Sequence, residues 1–213
     1  MENLDAIVEN IRALFEIKNA ARDATLARSR ELIRLCALSI RATHREEFDE
    51  AEKLLDQTRR AAEEMKSAVL DHPDLYYAGY TQDALKEVVE AMAVYAMVRG
   101  RRLPTPEAVG VPEAAYLNGL AEAASELRRH ALDVIRQDRN DEAERLLAAM
   151  DDIYGELVTM DFPDAITGGL RRTTDQLRGV LERTRGDLTT TLQQDKLKRA
   201  LQEFEARTMN DER

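Results

Sequence analysis

From Met1 to about Ala42 the chain has no Gly or Pro, and Leu4, Ile7, Ile11, Leu14, Ile17, Ala21, Thr25, Leu32, Leu35 and Ile40 recur at helical spacing. The pattern predicts one helix of about ten turns. A rod of that length outruns a single small bundle, so part of its apolar stripe is expected to meet another subunit. Residues 46–70 repeat the pattern through Phe48, Ala51, Leu54, Leu55, Thr58, Ala62, Met65 and Val69, and His72-Pro73 ends this second helix. A third helix is expected after Leu75, Tyr76 and Tyr77, with Thr81 as N-cap and Asp83 in its first turn, running to about Val98.

Gly100 to Pro112 reads as a loop, carrying Pro104, Pro106, Gly110 and Pro112. A fourth helix follows from Glu113 to about Arg136, and Asn140 caps a fifth that ends near Asp161. Pro163 or Asp164 opens a sixth, with an irregularity at Gly168-Gly169; Gly186 separates a last helix whose charged tail frays from about residue 206. Together these elements predict an all-α fold, one domain over residues 1–213, built as an antiparallel bundle of six to seven helices.

Composition narrows the picture further. Nine Gly, five Pro, no Trp and 34% charged residues suit long helices and not a β-rich fold. The single cysteine, Cys36, excludes a disulfide framework or a cysteine-rich zinc site and fits a reducing interior. With no run of eighteen apolar residues and no signal-peptide core, the expectation is a soluble, cytoplasmic protein without membrane contact. A net charge of −10 excludes general coating of nucleic acid. Charge is uneven, however: residues 1–45 carry eight bases and six acids, residues 46–98 five and thirteen, which leaves room for a local basic face.

Phosphate-loop, HExxH, CxxC and GxSxG motifs are absent. His44, His72 and His130 lie far apart in sequence and read as surface or partly satisfied residues; Cys36 reads as packing. The informative stretch runs from Asp83 to Met92. Asp83, Glu87 and Glu90 stand at i, i+4 and i+7 on one side of the third helix, among Val88, Val89, Ala91, Val94 and Tyr95. Like charges near a core are costly unless a cation neutralises them, and carboxylates suit Mg²⁺ or Mn²⁺. The fourth helix offers Glu122 and Glu126 at i, i+4, with Glu122 flanked by Ala121, Ala123 and Ala124, small enough for another helix to approach. Antiparallel packing of the two helices would converge Glu87, Glu90 and Glu122; the competing reading is two solvated faces. On the first helix Arg30, Arg34, Arg41 and Arg45 form a stripe with Arg22 and Arg28 nearby, suited to phosphate or to pairing with Glu31, Glu46 and Glu50. Arg99, Arg101 and Arg102 are placed either to hold phosphate or to balance the end of the third helix.

These same residues carry a family likeness. Leu85-Lys86-Glu87-Val88-Val89-Glu90-Ala91 is similar to an LQEYVEA element, and Tyr116-Leu117-Asn118-Gly119-Leu120-Ala121-Glu122 with Ser125-Glu126-Leu127 to a YLLGVADLTGEL element. Lys18 to Arg30, including Arg22-Asp23-Ala24-Thr25, is similar to a KLSRDITVESKR segment. In these elements the chain resembles the translin superfamily, and its translin-associated factor X branch more than translin itself, over most of the span from about Ala20 to Gly186. The resemblance implies an all-helical subunit of a hollow homo-octamer holding single-stranded RNA, or single-stranded DNA, inside. It further implies a metal-dependent endoribonuclease in which Glu87 and Glu90 match two family glutamates. Glu122 stands where the family has Asp, keeping the charge on an arm longer by a methylene. Glu126 matches a family glutamate and is assigned to support the ligands; Asp83 has no counterpart and enters only from its helical position. Arg22, Arg28, Arg30 and Arg34 are the candidate RNA contacts on an interior face. Two other readings stay open at this point: a translin-like nucleic-acid binder without cleavage, and a helical scaffold that touches no nucleic acid.

Overall fold

The computed structural model describes residues 3–211. The described residues form α1 (Leu4–His44), α2 (Phe48–Ser67), α3 (Pro73–Tyr76), α4 (Gly79–Val98), α5 (Pro106–Val109), α6 (Glu113–Ile135), α7 (Asn140–Leu157), α8 (Asp164–Thr167) and α9 (Leu170–Asp211). Six of these are long, and the three short ones sit in the connections. The fold is all-α, as the periodicity predicts.

The most buried helix is α4, which packs against α1 and α2 on one side and α6 on the other. Leu85, Val88, Val89 and Met92 join Leu32, Cys36, Leu55 and Met65 in one half of the core. Val94 and Met97 face the other half, where Leu127, Leu146, Met150, Leu177 and Leu181 meet. Each half closes against α4, so the face it shares with α6 is fixed by packing on both sides.

Several local expectations are corrected by the structure. Helix α4 starts at Gly79 with Ala78 in extended conformation; Thr81 is fully buried and its hydroxyl donates to the Leu75 carbonyl (2.8 Å) instead of capping. Asp83 accordingly lies beyond the first turn. Asn140 is the first helical residue of α7, with Arg139 before it. Gly186 does not interrupt α9, because the buried stripe Leu177, Leu181, Thr184 and Leu188 runs past it. A helical glycine costs only about 1 kcal/mol, which such burial offsets. The chain does break at Gly168 and Gly169, both at positive φ. The tail expected to fray from about residue 206 is helical as far as Asp211, and residues 212–213 lie outside the described residues.

Both long terminal helices outrun the bundle. On α1 the buried positions begin at Thr25, while Leu4, Ile7, Val8, Ile11, Leu14 and Phe15 remain exposed on one stripe. On α9, Leu197, Leu201 and Phe204 are likewise exposed. No described helix is long and apolar enough to cross a membrane.

Candidate functional site

The site forms where α4 and α6 come closest. A Cβ on Gly119 would stand 2.5 Å from the Lys86 carbonyl oxygen and 2.7 Å from Val89 Cβ, so only glycine permits this approach. Close contact at Gly119, one turn before Glu122, carries the Glu122 carboxylate across to α4. Glu87, Glu90 and Glu122 each place a carboxylate oxygen within 4.8 Å of the other two, and all three side chains are half-buried.

Of the sequence candidates, the structure therefore brings these three together. Asp83 is exposed and stays outside the cluster, acting on Lys86 and Glu87 only through its charge. Glu126, one turn beyond Glu122, also lies outside; its Oε1 is 2.8 Å from His44 Nε2 and its charge reaches Glu90.

Crowding of these acids shows in their protonation. Burial, followed by the charges of Glu87, Glu122 and Glu126, pushes Glu90 up to about 8. Burial and then Glu122 raise Glu87 as well. The counter-charge present is Lys86, whose Nζ lies 2.8 Å from Glu122 Oε1. Burial pulls the Lys86 ammonium down, but the bond to Glu122 and the charges of Glu122, Asp83 and Glu87 outweigh it and leave it raised. A site that protonates one of its own carboxylates at neutral pH is short of positive charge.

That deficit, with an all-oxygen donor set, fits a hard divalent cation of the Mg²⁺ or Mn²⁺ kind. Cys36 is not a competing soft ligand. It is fully buried on α1, and burial together with the charges of Glu87 and Glu90 holds its thiol protonated, far above the ordinary range.

The arginine candidates are arranged differently. Arg22, Arg28, Arg30 and Arg34 are all exposed on α1. Arg34 is bound through two nitrogens to Glu31 (2.6 and 2.8 Å), Arg22 pairs with Asp23 (2.9 Å), and Arg30 donates to the Leu26 carbonyl (3.1 Å). As isolated, the stripe is partly neutralised by acids of its own helix. Helix α4 ends on Arg145 of α7, which donates to the Met97 and Val98 carbonyls, and not on the bases after it. Arg101 pairs instead with Glu52, and Arg99 lies over the Phe48 ring.

Sequence spacing misses the histidines. His44 and His130 are buried and their rings stack at 5.8 Å between centroids, so neither is at the surface, although His44, bonded through Nε2 to Glu126, is the partly satisfied residue that the reading allowed. The Lys86–Glu122 pair is likewise unseen, although Lys86 lies one residue before Glu87 and so edges the same face.

The molecule is thus a helical bundle with a carboxylate cluster set between two core helices. No protein-family model matches the chain. The uncharacterized protein MJ0175 of Methanocaldococcus jannaschii is 33% identical over 187 residues, covering 86% of this chain and 82% of that one. The structure of AfC3PO in complex with duplex RNA matches with TM-score 0.79 and 35% identity, over 86% of this chain and 95% of AfC3PO. Apo-NeC3PO, at 22% identity and TM-score 0.76 over 90% and 98% of the two chains, shares the fold. The chain belongs to the translin superfamily, the family of these C3PO proteins, and is factor X-like within it.

Proposed function

We propose that this chain is a subunit of an RNA-binding homo-oligomer, and that Glu87, Glu90 and Glu122 form the metal-holding centre of an endoribonuclease acting on single-stranded RNA. The observation that carries the reading is the convergence of three half-buried carboxylates from two helices within 4.8 Å, with too little positive charge among them. The likeness to AfC3PO, solved with duplex RNA, supports RNA as the polymer.

Glu87 and Glu90 from α4 and Glu122 from α6 would hold one Mg²⁺ or Mn²⁺. When bound, such an ion supplies Lewis acidity: it draws charge from a phosphoryl oxygen and makes water more acidic. Glu90 must give up its proton to serve, so the centre assembles more readily as pH rises toward about 8. Lys86, paired to Glu122 at the rim, offers a phosphate oxygen a positive partner and holds the longer Glu122 arm in place. Glu126, pinned by His44, keeps a further negative charge beside Glu90. Arg22, Arg28, Arg30 and Arg34 would contact backbone phosphates where α1 lines an oligomer interior, which we take to be that of an octamer. Nothing in the centre reads bases, so sequence preference is low.

One observation favours binding without cleavage: the Lys86 ammonium already neutralises part of the cluster. A cleavage assay separates the readings, using end-labelled single-stranded RNA, the matching duplex and single-stranded DNA, with Mg²⁺, Mn²⁺ or chelator. The proposal expects cation-dependent cleavage of RNA that Glu90→Gln and Glu122→Gln each abolish at unchanged oligomer mass. Near wild-type activity in both variants removes the site. Salt-dependent binding without hydrolysis selects the binder, and no such binding selects the scaffold.

A further inference from the structure

A second cluster lies at the end of the bundle where the α1–α2 and α6–α7 turns meet. His130 of α6 is 1% exposed, and neither of its ring nitrogens has a hydrogen-bond partner. Its Nε2 is aimed between two carboxylates, 3.6 Å from Glu142 Oε1 and 4.0 Å from Glu46 Oε1. Both distances are too long for a hydrogen bond. A buried, unpartnered imidazole costs about 1–3 kcal/mol, so this one is unexplained by packing alone.

The spacing matches something else. Ligand atoms about 2.0–2.2 Å from a tetrahedral zinc ion stand roughly 3.3–3.6 Å from one another. One donor atom each from Glu46, His130 and Glu142 already lie within 4.8 Å of one another. Arg139 bridges the two carboxylates, its Nη1 on the same Glu46 Oε1 that faces His130, and Arg145 lies 3.7 Å from the Glu142 Oε1 that faces it. Glu46 itself is held at φ 60, and Asp138 in the facing turn at φ 59, conformations that non-glycine residues rarely adopt.

We propose that Glu46, His130 and Glu142 form a second metal site, selective for a borderline cation such as Zn²⁺ through its imidazole nitrogen, where the Glu87–Glu90–Glu122 cluster is all oxygen. It ties the α1–α2 turn to α6 and α7, so its role is to pin that end of the bundle. Arg139 is its internal rival, since a guanidinium and a dication compete for the same two carboxylates. The site is independent of the nuclease reading.

The test is calorimetric titration of the full-length protein with Zn²⁺, paired with thermal unfolding and with Co²⁺ absorption as a report on nitrogen ligation. The expected result is one equivalent of Zn²⁺ that is kept in Glu122→Gln and lost in His130→Ala, and that raises the unfolding temperature of Glu122→Gln as it does that of the wild type. Arg139→Gln is expected to tighten binding about tenfold or more. If His130→Ala does not fold, Glu142→Gln, on a partly exposed side chain, is expected to show the same loss. Unchanged Zn²⁺ stoichiometry in the folded variant, loss of all Zn²⁺ binding in Glu122→Gln, or weaker binding in Arg139→Gln overturns the proposal.

Discussion

Replacing Glu90 by Gln should make the cation-free protein more stable, and increasingly so as pH rises. In the unfolded chain this carboxyl ionises near 4.5, whereas in the fold burial and three acidic neighbours raise it to about 8. Between those values the native state binds a proton that the unfolded state has lost, so stability falls with pH by up to about 1.4 kcal/mol per unit. At pH 7 the penalty is about 3 kcal/mol, and it levels off above pH 8. Glu87, raised for the same reasons, adds to it in the same direction. Gln is neutral throughout and has no such loss, so the variant and the wild type converge below pH 4.5 and separate above it. Urea unfolding from pH 5 to 9 in chelator measures this, and repeating it with Mn²⁺ should restore the wild type alone, most strongly at high pH. A wild type more stable than Glu90→Gln at pH 8 in chelator, or a difference independent of pH, would refute the reasoning.

Two further outcomes follow from the packing. Gly119→Ala sets a methyl 2.5 Å from the Lys86 carbonyl oxygen, so it should force α4 and α6 apart, lower stability by about 2–3 kcal/mol in thermal unfolding and weaken Mn²⁺ binding with it. Leu14→Asp with Phe15→Asp places charge on the exposed stripe of α1 (65% and 67% exposed) and should reduce the assembly mass measured by light scattering while helical circular dichroism is unchanged; an unaltered mass would show that this stripe is not an interface.

Most of the fold was legible because each long helix carries a continuous apolar period. The failures occur where tertiary packing overrides a local signal. Gly186 looks like a break but lies inside a stripe whose leucines are buried on both sides of it. Thr81 looks like a cap but spends its hydroxyl on the preceding turn. For the site, the i, i+3 pair Glu87 and Glu90 and the small residues around Glu122 carried the signal, since close helix approach needs small side chains. The glycine that sets the approach, Gly119, and the ammonium that answers Glu122 were visible as residues but not as contacts. The histidine pair could not be read at all: His44 at the end of α1 and His130 on α6 meet only in the folded bundle, which no local pattern encodes. The α1 arginines illustrate the converse, a basic stripe in sequence that in three dimensions is partly matched by its own Asp23 and Glu31.

The account rests on carboxylates of two helices sharing one ion, and anomalous diffraction from crystals soaked in Mn²⁺ at pH 8 addresses that directly. The prediction is a single strong peak bonded to oxygens of Glu87, Glu90 and Glu122 at about 2.0–2.3 Å. A peak that touches acids of only one helix, or none between α4 and α6, would contradict it.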